Sequence, residues 1–310
     1  MMSPRISVCI THYNRPEKLS ATLESLARQT RMPDEIFLWD DCSPKDPTAV
    51  AMKWGKAFPH FVYHRNERNL NMPGNLNAVI SQATGDYIAN LHDADEFDPQ
   101  LIELWADALT QHPSAGMVYC GLESPQHGHA PSKFWLNTEI PPLSNGIDFF
   151  KKHFLYKWSS PIWGTTMVRR SAYKKLLPFR EEFRNWADVD MWMRISLSHD
   201  VAYVDLPLIK TDEGETPLRA FDWEKVFIQH RMMEAGIRLY CKQTGGTVRW
   251  FLAAQHQGLV WRWVRHMVSG LRSHDANRCR KGAAYFGKVF FNSVPPVEKT
   301  SLNRRLGFFR

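Results

Sequence analysis

The chain has 310 residues, 44% of them hydrophobic and 23% charged, with no low-complexity tract; this excludes a disordered chain and allows one large core with an appended region. Its net charge of +7 hides an asymmetry, because residues 1–224 hold 23 Lys and Arg against 29 Asp and Glu, whereas residues 225–310 hold 16 against 3, so two regions with different surroundings are expected. Five scattered cysteines without a C-x-x-C pair argue against a disulfide frame or a zinc site, and the absence of a signal-like start or of an apolar run of the ~18 residues that span a membrane predicts a cytoplasmic protein with reduced thiols.

Arg5 to Thr11 is a β-rich apolar run, followed by a polar loop from His12 to Pro16 and a helix whose Leu19, Leu23 and Leu26 recur at helical spacing. Glu35 to Trp39 reads as a second strand that ends at Asp40-Asp41-Cys42-Ser43-Pro44. Met52 to Phe58 reads as a helix, Phe61 to Tyr63 as a third strand, Gly74 to Gln82 as a helix, and Tyr87 to Leu91 as a further strand. Strands alternating with helices in this way predict a parallel sheet with right-handed crossovers, an α/β fold. Ligands of such sheets sit beyond the carboxyl ends of the strands. Thr11 and Tyr13, Asp40 and Asp41, and Asp93 and Asp95 stand at the ends of the first, second and fourth of these strands.

His92-Asp93-Ala94-Asp95 is the most informative run. An apolar strand stops at two carboxylates spaced i, i+2, and a helical pattern then begins after Asp98-Pro99 at Leu101, Ile102, Leu104 and Trp105. Hard oxygen ligands in this position suit Mg2+ or Mn2+ carrying a diphosphate. An acidic turn that only caps the helix is the plainer alternative for an isolated Asp-x-Asp. Residues 121–163, rich in Pro, His and Ser, resist assignment. Within them Phe134, Trp135, Trp158 and Trp163 offer either a stacking surface for sugar rings or ordinary core, and His127 and His129 read as surface residues.

Ile6-Ser7-Val8-Cys9-Ile10-Thr11-His12-Tyr13-Asn14-Arg15, Trp39-Asp40-Asp41-Cys42-Ser43, Gly85-Asp86-Tyr87-Ile88 and Asp93-Ala94-Asp95 resemble, in order, the motifs of family 2 glycosyltransferases with the GT-A fold. The resemblance continues through Thr166 to Tyr173, Pro178-Phe179 and Asn185 to Arg194, and so covers roughly residues 5–212. It implies a Rossmann-like, mostly parallel sheet flanked by helices over residues 1–220, followed by a helical basic region over 221–310. It further implies that Thr11, Tyr13 and Asp41 line the nucleotide base, with Arg15, Arg68 and Asp93 also along the nucleotide. Asp95 would hold the metal ion and Asp93 the ribose or a metal-bound water, while Asp188 would be the general base, with Asp190 its nearest competitor. The reaction implied is inverting, metal-dependent transfer of a sugar, with a UDP-sugar the expected donor, to a hydroxyl of a glycan or lipid-linked glycan in surface polysaccharide or glycolipid synthesis.

Some positions depart from that pattern. Ala187 replaces the usual Glu before the base, Leu177-Pro178-Phe179 stands for Gly-Gly-Phe, and Ile209 to Glu213 lacks the histidine that often completes the metal site, leaving either Asp212 as a substitute or a metal held by Asp95 and phosphate alone. Asn75-Leu76-Asn77 lacks an arginine, so Arg65 or Arg68 is the expected basic partner of the diphosphate. These gaps keep open a degenerate binding protein of the same fold. A sugar-nucleotide pyrophosphorylase fits less well, since His12 to Arg15 contains no glycine for a phosphate loop.

From Phe221 onward the pattern turns helical. In residues 248–272 one face carries Val260, Val264, Met267, Val268 and Leu271 and the other Arg262, Arg265, His266 and Arg272, with Trp261 and Trp263 at the borders. Such a helix either packs on the catalytic domain or lies in a membrane interface. The excess of basic charge favours an anionic membrane surface, hence a peripheral location on the cytoplasmic face, and no nucleic-acid motif accompanies it.

Overall fold

The computed structural model describes residues 3–124, 133–135, 139–156, 160–211 and 223–247, with residues 264, 267, 268, 272, 280 and 283. The chain divides into two units, Met1–Thr216 and Pro217–Arg310.

The first unit begins β1 (Ile6–His12), α1 (Pro16–Ala27), β2 (Glu35–Asp40), α2 (Thr48–Gly55), β3 (Phe61–Arg65), α3 (Asn71–Ile80) and β4 (Tyr87–His92). It continues through β5 (Asp95–Phe97), α4 (Leu101–Gln111), β6 (Ala115–Ser124), β7 (Lys133–Trp135), β8 (Leu143–Ser144), α5 (Gly146–Phe149) and a π-helical segment at Phe150–Tyr156. β9 (Thr166–Arg169), α6 (Arg170–Leu176), a 3-10 segment at Glu181–Trp186, α7 (Ala187–Ser196) and β10 (Asp200–Thr211) complete it. The sheet order is β3-β2-β1-β4-β9-β6-β10-β5, with β7 beside β6 and β8 beside β10.

The expected parallel sheet holds for the first half, where β1 pairs in parallel with β2 and β4, and β2 with β3. The second half corrects it. β9 runs antiparallel to both β4 and β6, and β5 and β8 run antiparallel to β10, leaving β6–β10 as the one parallel pair there among the described residues, so the sheet is mixed. For β5 the reason is local: only two residues separate it from β4, too few for a crossover, so the chain doubles back.

Both faces of β1 are covered, which is why it reads as a continuous apolar run. Ile6, Val8 and Ile10 enter a core with Leu19, Leu23 and Leu26 of α1 and Leu101, Ile102, Trp105 and Leu109 of α4, all fully buried. On the other face Cys9 Sγ lies 3.9 Å from the Val79 carbonyl of α3, and burial pushes the Cys9 thiol far up.

At the amino edge one carboxylate ties three strands together. Glu35 accepts from Ser7 Oγ (2.5 Å), from Thr84 N (2.7 Å) and Oγ1 (3.0 Å), and from Gly85 N (3.2 Å). Gly85 must lack a side chain there, since a Cβ would come within 2.7 Å of Ser7 N and 2.9 Å of the Arg5 carbonyl. Asp86 then receives Arg5 N at 3.0 Å. The Gly85-Asp86 motif is thus a sheet-edge device remote from the carboxyl ends of the strands.

In the second unit α8 (Trp223–Thr244) buries His230, Met233, Ile237, Tyr240 and Cys241 at helical spacing and sets an exposed Glu234–Arg238 pair, 2.6 Å apart, on its surface. The amphipathic stretch at 248–272 lies, apart from Val264, Met267, Val268 and Arg272, outside the described residues.

Burial alone would raise the Glu35 carboxyl, but the hydrogen bonds from Ser7, Thr84 and Gly85 hold it below the usual carboxylate range. A carboxylate lowered in the folded state stabilises above its unfolded pKa of about 4.3 and loses that contribution as pH falls through the folded value. Glu35→Gln is expected to cost roughly 1–3 kcal/mol at neutral pH in urea unfolding, and the gap to wild type should narrow below about pH 4. An equal gap at both pH values would show that the charge is irrelevant.

Candidate functional site

The strand order reverses at β1, since β2 and β3 extend to one side and β4 lies on the other, so a crevice opens between the carboxyl ends of β1 and β4. His12 ends β1 opposite Asp40 of β2, and Thr11 stands between Trp39 and His92. Asp93 closes the crevice floor. Its Oδ2 lies 2.7 Å from His12 Nδ1 and receives Tyr13 N at 3.2 Å, and its Oδ1 receives Arg15 Nη2 at 2.6 Å. His12 and Asp93 are fully buried, whereas Arg15 is half exposed.

The loops after β1 and β2 are joined to each other. Asn14 N donates to Ser43 Oγ (2.7 Å), and Asn14 Oδ1 accepts from Lys45 N (3.2 Å). Within the second loop Asp40 receives Arg65 Nη1 at 2.7 Å and also bonds Ser43, so it and Arg65 neutralise each other. Asp41 is buried, and its Oδ1 accepts from Asn66 Nδ2 (3.0 Å) and Leu70 N (2.7 Å). Asn66 in turn donates to Asn75 Oδ1 at 2.8 Å. Tyr13 is 45% exposed at the crevice rim, and Arg68 is exposed, with no ion pair among the described residues.

Asp95 differs from Asp93 in having no cation fixed to it. It is buried, with Oδ2 3.4 Å from Thr165 Oγ1 and 3.4 Å from His92 Nδ1, while its backbone carbonyl accepts from Thr22 Oγ1 of α1 at 2.7 Å. Its strand neighbour is Thr211 of β10; Asp212 lies outside the described residues.

Asp188, in the first turn of α7, reaches the same place from the other end of the unit. Its Oδ1 accepts from Val189 N (2.7 Å). Its Oδ2 and the Nε2 and Cε1 atoms of His92 each lie 3.0 Å from the point where a Cβ on Gly164 would be, and Gly164 takes φ +98°, so only glycine fits between them. Burial raises the Asp188 carboxyl above its ordinary value, only partly opposed by Val189 N–H and the charge of His92. For His92 burial opposes the charged form, but hydrogen bonding and charge from Asp95, with Asp188 and Asp93 behind it, outweigh that and raise it.

Asp190 is removed from contention as a base. It is fully buried, paired with Arg180, whose Nε lies 2.9 Å away, and with Arg194 Nε at 2.9 Å. The structure thus brings His92, Asp95 and Asp188 together, with Thr11, Tyr13, Asp41, Asp93 and Arg15 along one crevice. His12, Gly164 and Thr165 carry no sequence signal of their own beyond the motifs they adjoin. Trp163, beside Gly164, is 41% exposed, Trp158, His127 and His129 lie outside the described residues, and Phe134 and Trp135 lie on β7.

The profile of Glycosyl transferase family 2 matches residues 7–177. The chain is 28% identical over 245 residues to the amylovoran biosynthesis glycosyltransferase AmsE of Erwinia amylovora, covering 77% of this chain and 87% of that protein. It is 27% identical over 196 residues to EpsE of Bacillus subtilis (strain 168), named as a glycosyltransferase, covering 62% and 66%. The chain thus spans just under two thirds of EpsE. Among solved structures, residues 1–349 of Staphylococcus aureus TarS in complex with UDP-GlcNAc align with a TM-score of 0.61 at 19% identity, over 75% of this chain and 66% of that one, a likeness of fold.

The contacts of Asp93 and Asp95 separate their roles by stability. Asp93→Ala would leave His12 buried without its partner and is expected to cost roughly 3 kcal/mol, whereas Asp95→Ala should cost less than about 1 kcal/mol. Equal losses in urea unfolding would overturn this division.

Proposed function

The chain belongs to glycosyl transferase family 2, and from that premise we propose that it moves a sugar from a UDP-sugar to a hydroxyl of a glycan or lipid-linked glycan, with inversion, in the synthesis of a surface polysaccharide. The proposal rests chiefly on the approach of Asp188 to His92 and Asp95 across Gly164, at the crevice where the strand order reverses. The polysaccharide role takes its support from AmsE, and the nucleotide from the UDP-GlcNAc bound by TarS.

In this reading Thr11, Tyr13 and Asp41 receive the base, the ring of Tyr13 being free to stack, and Asp41 keeps one oxygen on Asn66 and the Leu70 amide so that its carboxylate is held in place. Asp93 fixes the loop after β1 through His12 and Arg15 and presents that loop to the ribose. Asp95 would hold a divalent cation, Mn2+ or Mg2+, which would set positive charge against the leaving diphosphate. Among the described residues no three His, Cys, Asp or Glu side chains converge on one point, so the protein alone would not saturate such an ion and the diphosphate would share in holding it.

Asp188 takes the proton of the acceptor hydroxyl as its oxygen attacks the anomeric carbon and the bond to the diphosphate oxygen breaks. The desolvation that raises the Asp188 carboxyl makes it the stronger base for that step. Attack opposite the leaving group in one displacement inverts the anomeric centre. No helix among the described residues is long and apolar enough to cross a membrane, and attachment to an anionic membrane surface through the basic residues after 224 is the proposed means of reaching a lipid-linked acceptor.

Calorimetry with UDP and GDP, each with and without Mn2+, combined with UDP release from UDP-sugars, tests the reading. UDP is expected to bind in a metal-dependent way. Asp188→Asn should keep that binding while lowering turnover about 10²–10⁴-fold. Gly164→Ala should also bind UDP but turn over at least about tenfold more slowly, because the new methyl group stands between Asp188 and His92. Unchanged turnover in Asp188→Asn removes it as the base, and absence of binding by either nucleotide overturns the transferase reading.

A further inference from the structure

We infer that His92 is a direct ligand of the divalent cation together with Asp95. The inference rests on the metal-dependent reading above.

The distance between His92 Nδ1 and Asp95 Oδ2 carries the argument. At 3.4 Å the pair is too long for a good charge-assisted hydrogen bond, which falls near 2.7–2.9 Å. Two donors that share one small divalent ion, each about 2.1 Å from it at an angle of about 90–110°, lie about 3.0–3.4 Å apart. The buried carboxylate and the 42% exposed imidazole side chain therefore stand at the spacing of two adjacent corners of a coordination shell, with the imidazole corner open to the crevice.

The opposite side of the ring supports the same assignment. A ligating histidine generally gives its second nitrogen to a carboxylate, which fixes the tautomer and the ring plane. His92 Nε2 and Asp188 Oδ2 both face the gap at Gly164, each 3.0 Å from one common point. With Nδ1 on the cation, Nε2 is the nitrogen on the side where Asp188 lies across Gly164.

The local backbone explains why this histidine can serve. His92 ends β4 and Asp95 begins β5, so a two-residue turn, Asp93-Ala94, folds the two side chains onto one side while Asp93 is held away by His12 and Arg15. A ligand set with an imidazole suits Mn2+ better than Mg2+, which prefers oxygen alone.

Electron spin echo spectroscopy of Mn2+ bound to tag-free protein with UDP, in a buffer without imidazole, reads nitrogen ligation directly. Wild type is expected to show ¹⁴N modulation that disappears when the protein is labelled with ¹⁵N-histidine, and His92→Ala to lose it while binding Mn2+ at least about tenfold more weakly. Asp188→Asn should keep the modulation. The labelling measurement uses the intact wild-type fold and stands even if His92→Ala is unstable. Mn2+ bound through Asp95 without nitrogen modulation, or modulation that persists in His92→Ala, overturns the inference and leaves the transferase reading intact. Failure of wild type to bind Mn2+ with UDP overturns both.

Discussion

Negative charge at one edge of the sheet governs this fold. Asp40, Asp41, Asp93, Asp95 and Asp188 all reach the carboxyl ends of the strands or the loop facing them, and four of these carboxylates are buried. Taking an unpaired carboxylate out of water costs several kcal/mol, and neighbours of like sign add to it. The chain answers most of this locally, with Arg65 and Ser43 on Asp40, Asn66 and the Leu70 amide on Asp41, and His12 and Arg15 on Asp93. Among the described residues Asp95 and Asp188 receive hydroxyl or amide partners and lie near the imidazole of His92, with no lysine or arginine paired to either.

Strand order turns that balance into a shape. Because β4 lies on the far side of β1 from β2, the loops after β1 and β4 diverge, and His12 with Asp93 bridges them at the bottom. The antiparallel second half closes the crevice from above. β9 pairs with β4 and so brings Gly164 and Thr165, just before it, over Asp95, while α7 supplies Asp188. Asp95 and Thr165, 70 positions apart, meet because a strand that returns antiparallel delivers its start to its neighbour's end.

Much of this was legible in the sequence, and the gaps have physical causes. The first four strands and the helices between them follow from apolar periodicity, and the acids follow because a strand ending in Asp announces itself. α2 and α3 begin several residues earlier than periodicity suggests, at Thr48 and Asn71, the first turn of α3 holding a proline and a glycine that obscure a helical pattern. β5 is three residues long and shows no period, so the reversal of the sheet could not be read. Asp188 and Asp190 are indistinguishable in Asp188-Val189-Asp190, two carboxylates in one helical turn. Only the three-dimensional contacts of Asp190 with Arg180 and Arg194 separate them. His12 looked like part of a polar loop because nothing in a sequence marks a histidine whose charge partner lies 81 residues away.

Backbone strain falls in the same region. Asn14 and Cys42, directly after β1 and β2, both take φ +58°, and Arg184 takes φ +47° with ψ −124°, the corner of a type II′ turn that glycine usually fills. Asparagine tolerates that region; cysteine and arginine adopt it at a cost of order 1–3 kcal/mol, which surrounding contacts must offset. Ser43 and Asp40 hold the turn at Cys42, and Arg180 stacks on Phe183 just before Arg184. Asn14 and Cys42 reverse the chain immediately beside Tyr13 and Asp41, and Arg184 does so in the segment that leads into α7 and Asp188. A relaxed turn would need more residues and would carry those side chains away from the strand ends. The strain is thus the local cost of short loops, and short loops keep Tyr13, Asp41 and Asp188 close to the carboxyl ends of the strands.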